Sequence, residues 1–211
     1  MKQQMRVEII EKMFRHTSSS EIAFKALKIL LPKKKEIKKF VGILIICTIP
    51  AYLIGFSPKT VQLFMNSVQV INEVVLSLFG VTFTGYALFQ ALVSKEMLKR
   101  MLSNTTGSES DEKSRLQESN EIFVETMMLQ LICILINLFI LIVGACIPEN
   151  FGLLNKTIWN NIIAGVGLEI YFYISTMTIV EMKSFVYNIF QIFNLYAGSK
   201  AVEILEEEKK D

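Results

Sequence analysis

The sequence predicts an all-α polytopic integral membrane protein, with four transmembrane helices and cytoplasmic helical extensions. Three observations carry this reading. Of 211 residues, 52% are hydrophobic and 20% charged, and the mean hydropathy is +0.43, more apolar than a soluble domain of this size. The charge is segregated: nearly all of it falls in residues 1–39, 95–125 and 181–211, and the stretches between are almost charge-free. The basic residues also alternate from one connection to the next, as the positive-inside rule requires. Disorder, collagen-like repeats and a secreted disulfide scaffold are excluded, and a soluble enzyme is disfavoured.

Residues 1–39 read as a basic, amphipathic cytoplasmic region. Val7, Ile10, Met13 and Phe14 recur at helical spacing over 5–15. A second short helix is expected over 18–31, where Ser18 and Glu21 match a capping box and Pro32 ends the run. Its polar side carries Glu21, Lys25 and Lys28, and its apolar side Ile22, Ala26, Leu27, Ile29 and Leu30. Lys33, Lys34, Lys35, Lys38 and Lys39 follow, a cluster suited to anionic lipid on the inner leaflet. The region serves either as a topology anchor or as a lipid-sensing or gating element. No cleavable signal peptide is expected, so the first span targets the chain.

A hydrocarbon core about 30 Å thick needs about 20 apolar residues as a helix. Spans are expected at about 40–57, 74–93, 127–147 and 158–180, within a transmembrane domain over 40–183. Pro50 kinks rather than breaks the first. Counting Lys and Arg through the N-terminal region, the successive connections and the tail gives 11, 1, 5, 1 and 4. This places both termini and the loop 94–126 in the cytoplasm of a plasma-membrane protein. Ser57 and Pro58 open a helical pattern that continues to about Leu102. After a flexible break at 103–108 the pattern resumes near Asp111 or Leu116 and stops at Pro148. Span four continues into the tail 184–211 through Phe185, Ile189, Ile192, Phe193 and Tyr196, with Gly198 as the expected stop. That apolar stripe needs a partner, from the same bundle or from another chain.

Glu169 is the one acid deep in a predicted span. A charge at that depth costs about 2.5–3.5 kcal/mol on insertion scales, so intramembrane acids mark functional sites by default. It lines an ion or proton path, as a carboxylate ring in a symmetric oligomer, or it sits protonated and hydrogen-bonded to Asn137, Thr82, Thr84 or Gln90. Asn137 reads as interhelical glue in span three. Glu73 reads as a solvated interface residue, or as a second acidic ring if span two begins earlier than 74. Ser77, Gly80, Thr84 and Gly85 in span two, with Gly165 and Gly167 in span four, are small enough for close helix packing. Trp159 is the best candidate for an interfacial aromatic belt.

Catalytic templates such as H-E-x-x-H, G-x-S-x-G and the P-loop are absent from the sequence. One histidine, His16, and three cysteines in apolar segments, Cys47, Cys133 and Cys146, provide no metal-ligand set. No enzymatic activity, cofactor or metal is expected. The basic clusters lack interleaved aromatics and abut the membrane, so direct nucleic-acid binding is not expected. The acidic groups Glu109, Asp111, Glu112 and Glu206, Glu207, Glu208 read as solvated charge.

The plan resembles small four-span bacterial membrane proteins that act as sensors or effectors in phage defence or membrane stress, a likeness of architecture over the whole chain. It implies a non-enzymatic homo-oligomer that senses or alters membrane state, as a pore-like effector or a signalling subunit, packing through spans two and four with Glu169 inside. Two other readings stay open: a small transporter or transporter accessory subunit, and a membrane anchor recruiting a cytosolic partner through Phe185–Tyr196.

Overall fold

The computed structural model describes residues 18–32, 36–103, 105–106, 113–148 and 157–208. The helix expected over 5–15, Lys33–Lys35, and the acidic group at 109–112 lie outside these residues. The fold is all helical, with four helices long and apolar enough to cross a membrane. The helices are α1 (Ser19–Lys28), α2 (Ile37–Gly55), α3 (Thr60–Leu92), α4 (Lys95–Ser103), α5 (Arg115–Gly144), α6 (Thr157–Val180) and α7 (Met182–Glu207). Between α4 and α5 a two-residue antiparallel ladder pairs Thr105 with Ser114 and Thr106 with Lys113.

Local chemistry explains most boundaries. Ser18 caps α1, its Oγ accepting from the Glu21 amide at 3.2 Å. Ser114 caps α5 in the same way, accepting from Gln117 N at 3.2 Å. The continuous helix expected from Pro58 to Leu102 is instead broken at Val93, whose ψ of 96° is extended. Ser94 restarts it as α4, its Oγ accepting from Met97 N at 3.2 Å. Gly198 does not stop α7, which runs through it to Glu207. At Glu181 the α6–α7 backbone tightens: its carbonyl accepts from Ser184 N at 3.0 Å as well as from Phe185 N at 3.3 Å, a 3₁₀-type bond beside the α-helical one.

α5 is the hub. α3 packs along it most extensively, antiparallel, in a register marked by Met65 beside Gly144, Asn72 with Asn137 and Tyr86 with Asn120. On its other side α6 and α7 run antiparallel too, through Tyr171 with Asn137 and Ser119 with Asn188. α2 packs on α6, where their backbones nearly touch: a Cβ on Gly55 would lie 3.0 Å from Gly165 Cα. Close approach of this kind is how membrane helices gain dispersion energy without a hydrophobic driving force.

Two cores result. One joins α2, α3 and α6 through Ile43, Cys47, Ala51, Val68, Leu168 and Phe172. The other joins α3, α4, α5 and α7 at the end that carries Lys95, Arg115 and Lys183, called here the basic end. There Phe89 stacks on Phe123 at 5.3 Å and Phe185 meets Phe123 edge-on. Phe185 and Ile192 are buried in this second core and Ile189 and Tyr196 pack against it, so most of the α7 stripe finds its partner within the chain, while Phe193 stays exposed. α1 docks on α5, burying Ala26, and the Tyr173 hydroxyl donates to the Leu30 carbonyl just beyond it at 2.7 Å. The Lys39 ammonium bridges to Glu181 at 3.2 Å where α6 meets α7.

Candidate functional site

The buried face of α5 is polar. Ser119, Thr126, Gln130, Cys133 and Asn137, with Phe123 among them, recur three or four residues apart and point into the bundle. This inverts the pattern of a soluble helix: the apolar residues Leu135, Leu138, Phe139 and Ile142 face outward. The opposing helices answer in kind with Thr82 of α3 and Ser175 and Thr178 of α6, all buried.

The seam is knit by side-chain hydrogen bonds. Tyr171 Oη donates to Asn137 Oδ1 at 3.0 Å, and Asn137 Nδ2 approaches Asn72 Oδ1 at 3.5 Å. The Cys133 thiol sits among Ser175, Thr178 and Asn137. Towards the basic end, Met182 Sδ accepts from Gln130 Nε2 at 3.1 Å, and Thr82 Oγ1, which bonds the Leu78 carbonyl at 2.7 Å, lies 3.4 Å from the same sulfur. Gln130 Oε1 and Ser175 Oγ have no hydrogen-bond partner among the described residues.

Glu169 is not in the seam. It is half-buried between α6 and α2, where Thr48 Oγ1 donates to its Oε1 at 2.8 Å. The same hydroxyl also lies 2.9 Å from the Leu44 carbonyl, so one hydrogen serves two acceptors. Asn137, Thr82, Thr84 and Gln90 are not its partners. Thr48 is exposed and lines a shallow apolar groove with Ile45, Ile49, Tyr52 and Leu53. Glu169 thus sits towards the outside of the single chain.

The small residues divide. A Cβ on Gly85 would collide with the Phe185 ring, and one on Gly55 would press on the Gly165 backbone, so Gly85 and Gly55 are packing glycines, whereas a Cβ on Gly165 itself would meet open space. Ser77, Gly80, Thr84 and Gly167 are exposed, and Gly80 and Gly167 have open space where a Cβ would go. On α3 these belong to a longer pattern. Gln62, Asn66, Gln69, Glu73, Ser77, Gly80, Thr84, Ala87 and Ala91 are all exposed and recur every three or four residues. At about 100° per residue they share one face, opposite buried Val68, Val75, Thr82 and Phe89. Because α3 begins at Thr60, Glu73 lies inside the helix, in roughly its fourth turn.

Lys38 and Lys39 stand exposed at the start of α2. Trp159 is 53% exposed at the opposite end of the bundle. Comparisons with protein-family models, with curated proteins and with solved structures return no match.

Proposed function

We propose that this chain is a non-enzymatic plasma-membrane protein that assembles as a homo-oligomer around the polar face of α3 and acts as a pore. The observation that carries the reading is that face: nine small or polar side chains from Gln62 to Ala91, all turned away from the chain's own core. Lipid is a poor neighbour for Gln, Asn and Glu, and transmembrane polar residues turn to protein or to water. A ring of α3 helices supplies both. The apolar flanks at Val70, Val81 and Leu88, each at least half exposed, then meet lipid or the next subunit. The single chain's interior is filled by the α5 seam, so the conduction path runs between copies.

In such a ring Glu73 contributes one carboxylate per subunit, which favours cations. The basic residues at the α1–α2 junction, in α4, at the start of α5 and in α7 orient the chain with both ends of the described bundle in the cytoplasm. Sensing of membrane state enters through α1, which rests on α5 and is followed in the sequence by Lys33, Lys34, Lys35, Lys38 and Lys39.

The test is conductance of the purified protein in planar bilayers. Wild type should be cation-selective, Glu73→Gln should lose that selectivity and Glu73→Lys should reverse it. Glu169→Gln should conduct as wild type. A protein that stays monomeric in nanodiscs, or conducts nothing, ends this reading.

A further inference from the structure

A cleft of about 610 Å³ opens at the basic end between α4, α5 and α7. Arg115 and Lys183 line it, with one acid, Glu118, and with Ser119, Ser184 and Asn188. Neither cation has an ion-pair partner among the described residues. Lys183 stands two residues beyond Glu181, where the apolar run of α6 ends. Arg115 is the first residue of a 30-residue helix. That is the positive end of the helix dipole, where a cation is disfavoured and an anion welcome. Five neutral polar side chains share the lining, Ser119, Ser184, Tyr187, Asn188 and Gln191, and the rest of the wall is apolar, from Met101, Ile122, Ile192 and Leu195. Ser119 and Asn188 hold each other only at 3.4 Å. Their hydrogen-bonding capacity is therefore not used up.

We infer that this cleft binds a phosphate-bearing anion, held by Arg115 and Lys183 and oriented by the Ser119 and Asn188 side chains. A guanidinium matches two phosphate oxygens at once, and an ammonium supplies a point charge beside it. The phosphate belongs either to an inner-leaflet lipid headgroup, since the cleft starts at the membrane edge of α7, or to a soluble phosphate compound entering from the cytoplasm. The inference goes beyond the pore and does not depend on it, because the site lies within one chain.

The full chain in phosphatidylcholine nanodiscs separates the sources. In one arm phosphatidylglycerol is doped into the disc, and retained lipid is counted by native mass spectrometry. In the other, inorganic pyrophosphate is titrated against the neutral disc, and the rise in Tm is read. One arm should respond in wild type. Removing each cation, Arg115→Ala or Lys183→Ala, should weaken that response roughly tenfold or more. Arg115→Lys with Lys183→Arg should keep most of it, and so should the control Lys59→Ala with Lys95→Ala, which removes equal charge at exposed positions outside the cleft. Both cleft residues are exposed, so Tm without ligand should stay within a few degrees. No response in either arm overturns the site. So does a response that survives loss of both cleft cations or falls equally in the control.

Discussion

The Tyr171 hydroxyl donates to Asn137 Oδ1 at 3.0 Å between helices α6 and α5, with both side chains buried. Tyr171→Phe deletes one donor and leaves Asn137 its contact to Asn72. Buried hydrogen bonds between membrane helices average about 0.6 kcal/mol, with a maximum near 1.7, and the loss should fall in that range. Asn137→Ala removes both contacts and leaves a void, and should cost more. Unfolding titrations in mixed micelles rank the two. The reverse ranking would remove Asn137 as the centre of the seam.

Glycine substitutions should sort by what a methyl group would meet. At Gly85 it meets the Phe185 ring, and at Gly55 the Gly165 backbone, which has no side chain to move aside. Overpacking of this kind typically costs about 1–3 kcal/mol. At Gly80 it meets open space, so Gly80→Ala should be neutral or slightly stabilising to the single chain. Gly80→Phe should instead impair only assembly, visible as a smaller particle by light scattering with an unchanged circular dichroism spectrum.

The α5 cap is a single hydroxyl. Ser114 is fully buried, and its Oγ accepts from Gln117 N at 3.2 Å. Ser114→Ala should cost about 1 kcal/mol. Ser114→Asp should recover most of that, since an aspartate caps equally well. Thermal melts of the three proteins settle the point, and equal Tm values would contradict the cap.

Orientation can be read from the native cysteines. Cys146 is exposed beyond α5, at the end opposite Lys39, while Cys47 and Cys133 are buried. A membrane-impermeant maleimide should label Cys146 in intact cells, and Cys146→Ser should abolish the signal. Labelling that needs permeabilised cells would invert the proposed topology.

The spans were legible because bilayer crossing is written in bulk hydropathy, which a window of 20 or so residues averages well. Their ends were less so. The break at Val93–Ser94 depends on one serine capping Met97, a signal of two residues inside a helical pattern. The seam was visible only at Asn137. Thr126, Gln130 and Cys133 stand four, three and four residues apart leading up to it, a period that could have been found by asking where the polar residues of an apolar helix point. Of the α3 face the sequence singles out Glu73, Ser77, Gly80 and Thr84, while Gly85, grouped with them, belongs to another face. The position of Glu169 along its helix does not say which neighbour the side chain meets. Its partner Thr48 lies 121 positions away in sequence.

The 33 residues of α3 rise about 50 Å, against a hydrocarbon layer of about 30 Å. The excess cannot be folded away, since α3 is clamped to α5 from Met65 to Phe89. In a bilayer it either projects into water, where the exposed Gln62, Asn66 and Gln69 of its first turns are readily solvated, or is shortened across the layer by tilt. Either way the part of α3 that exceeds the layer is carried rigidly by the helix it is clamped to.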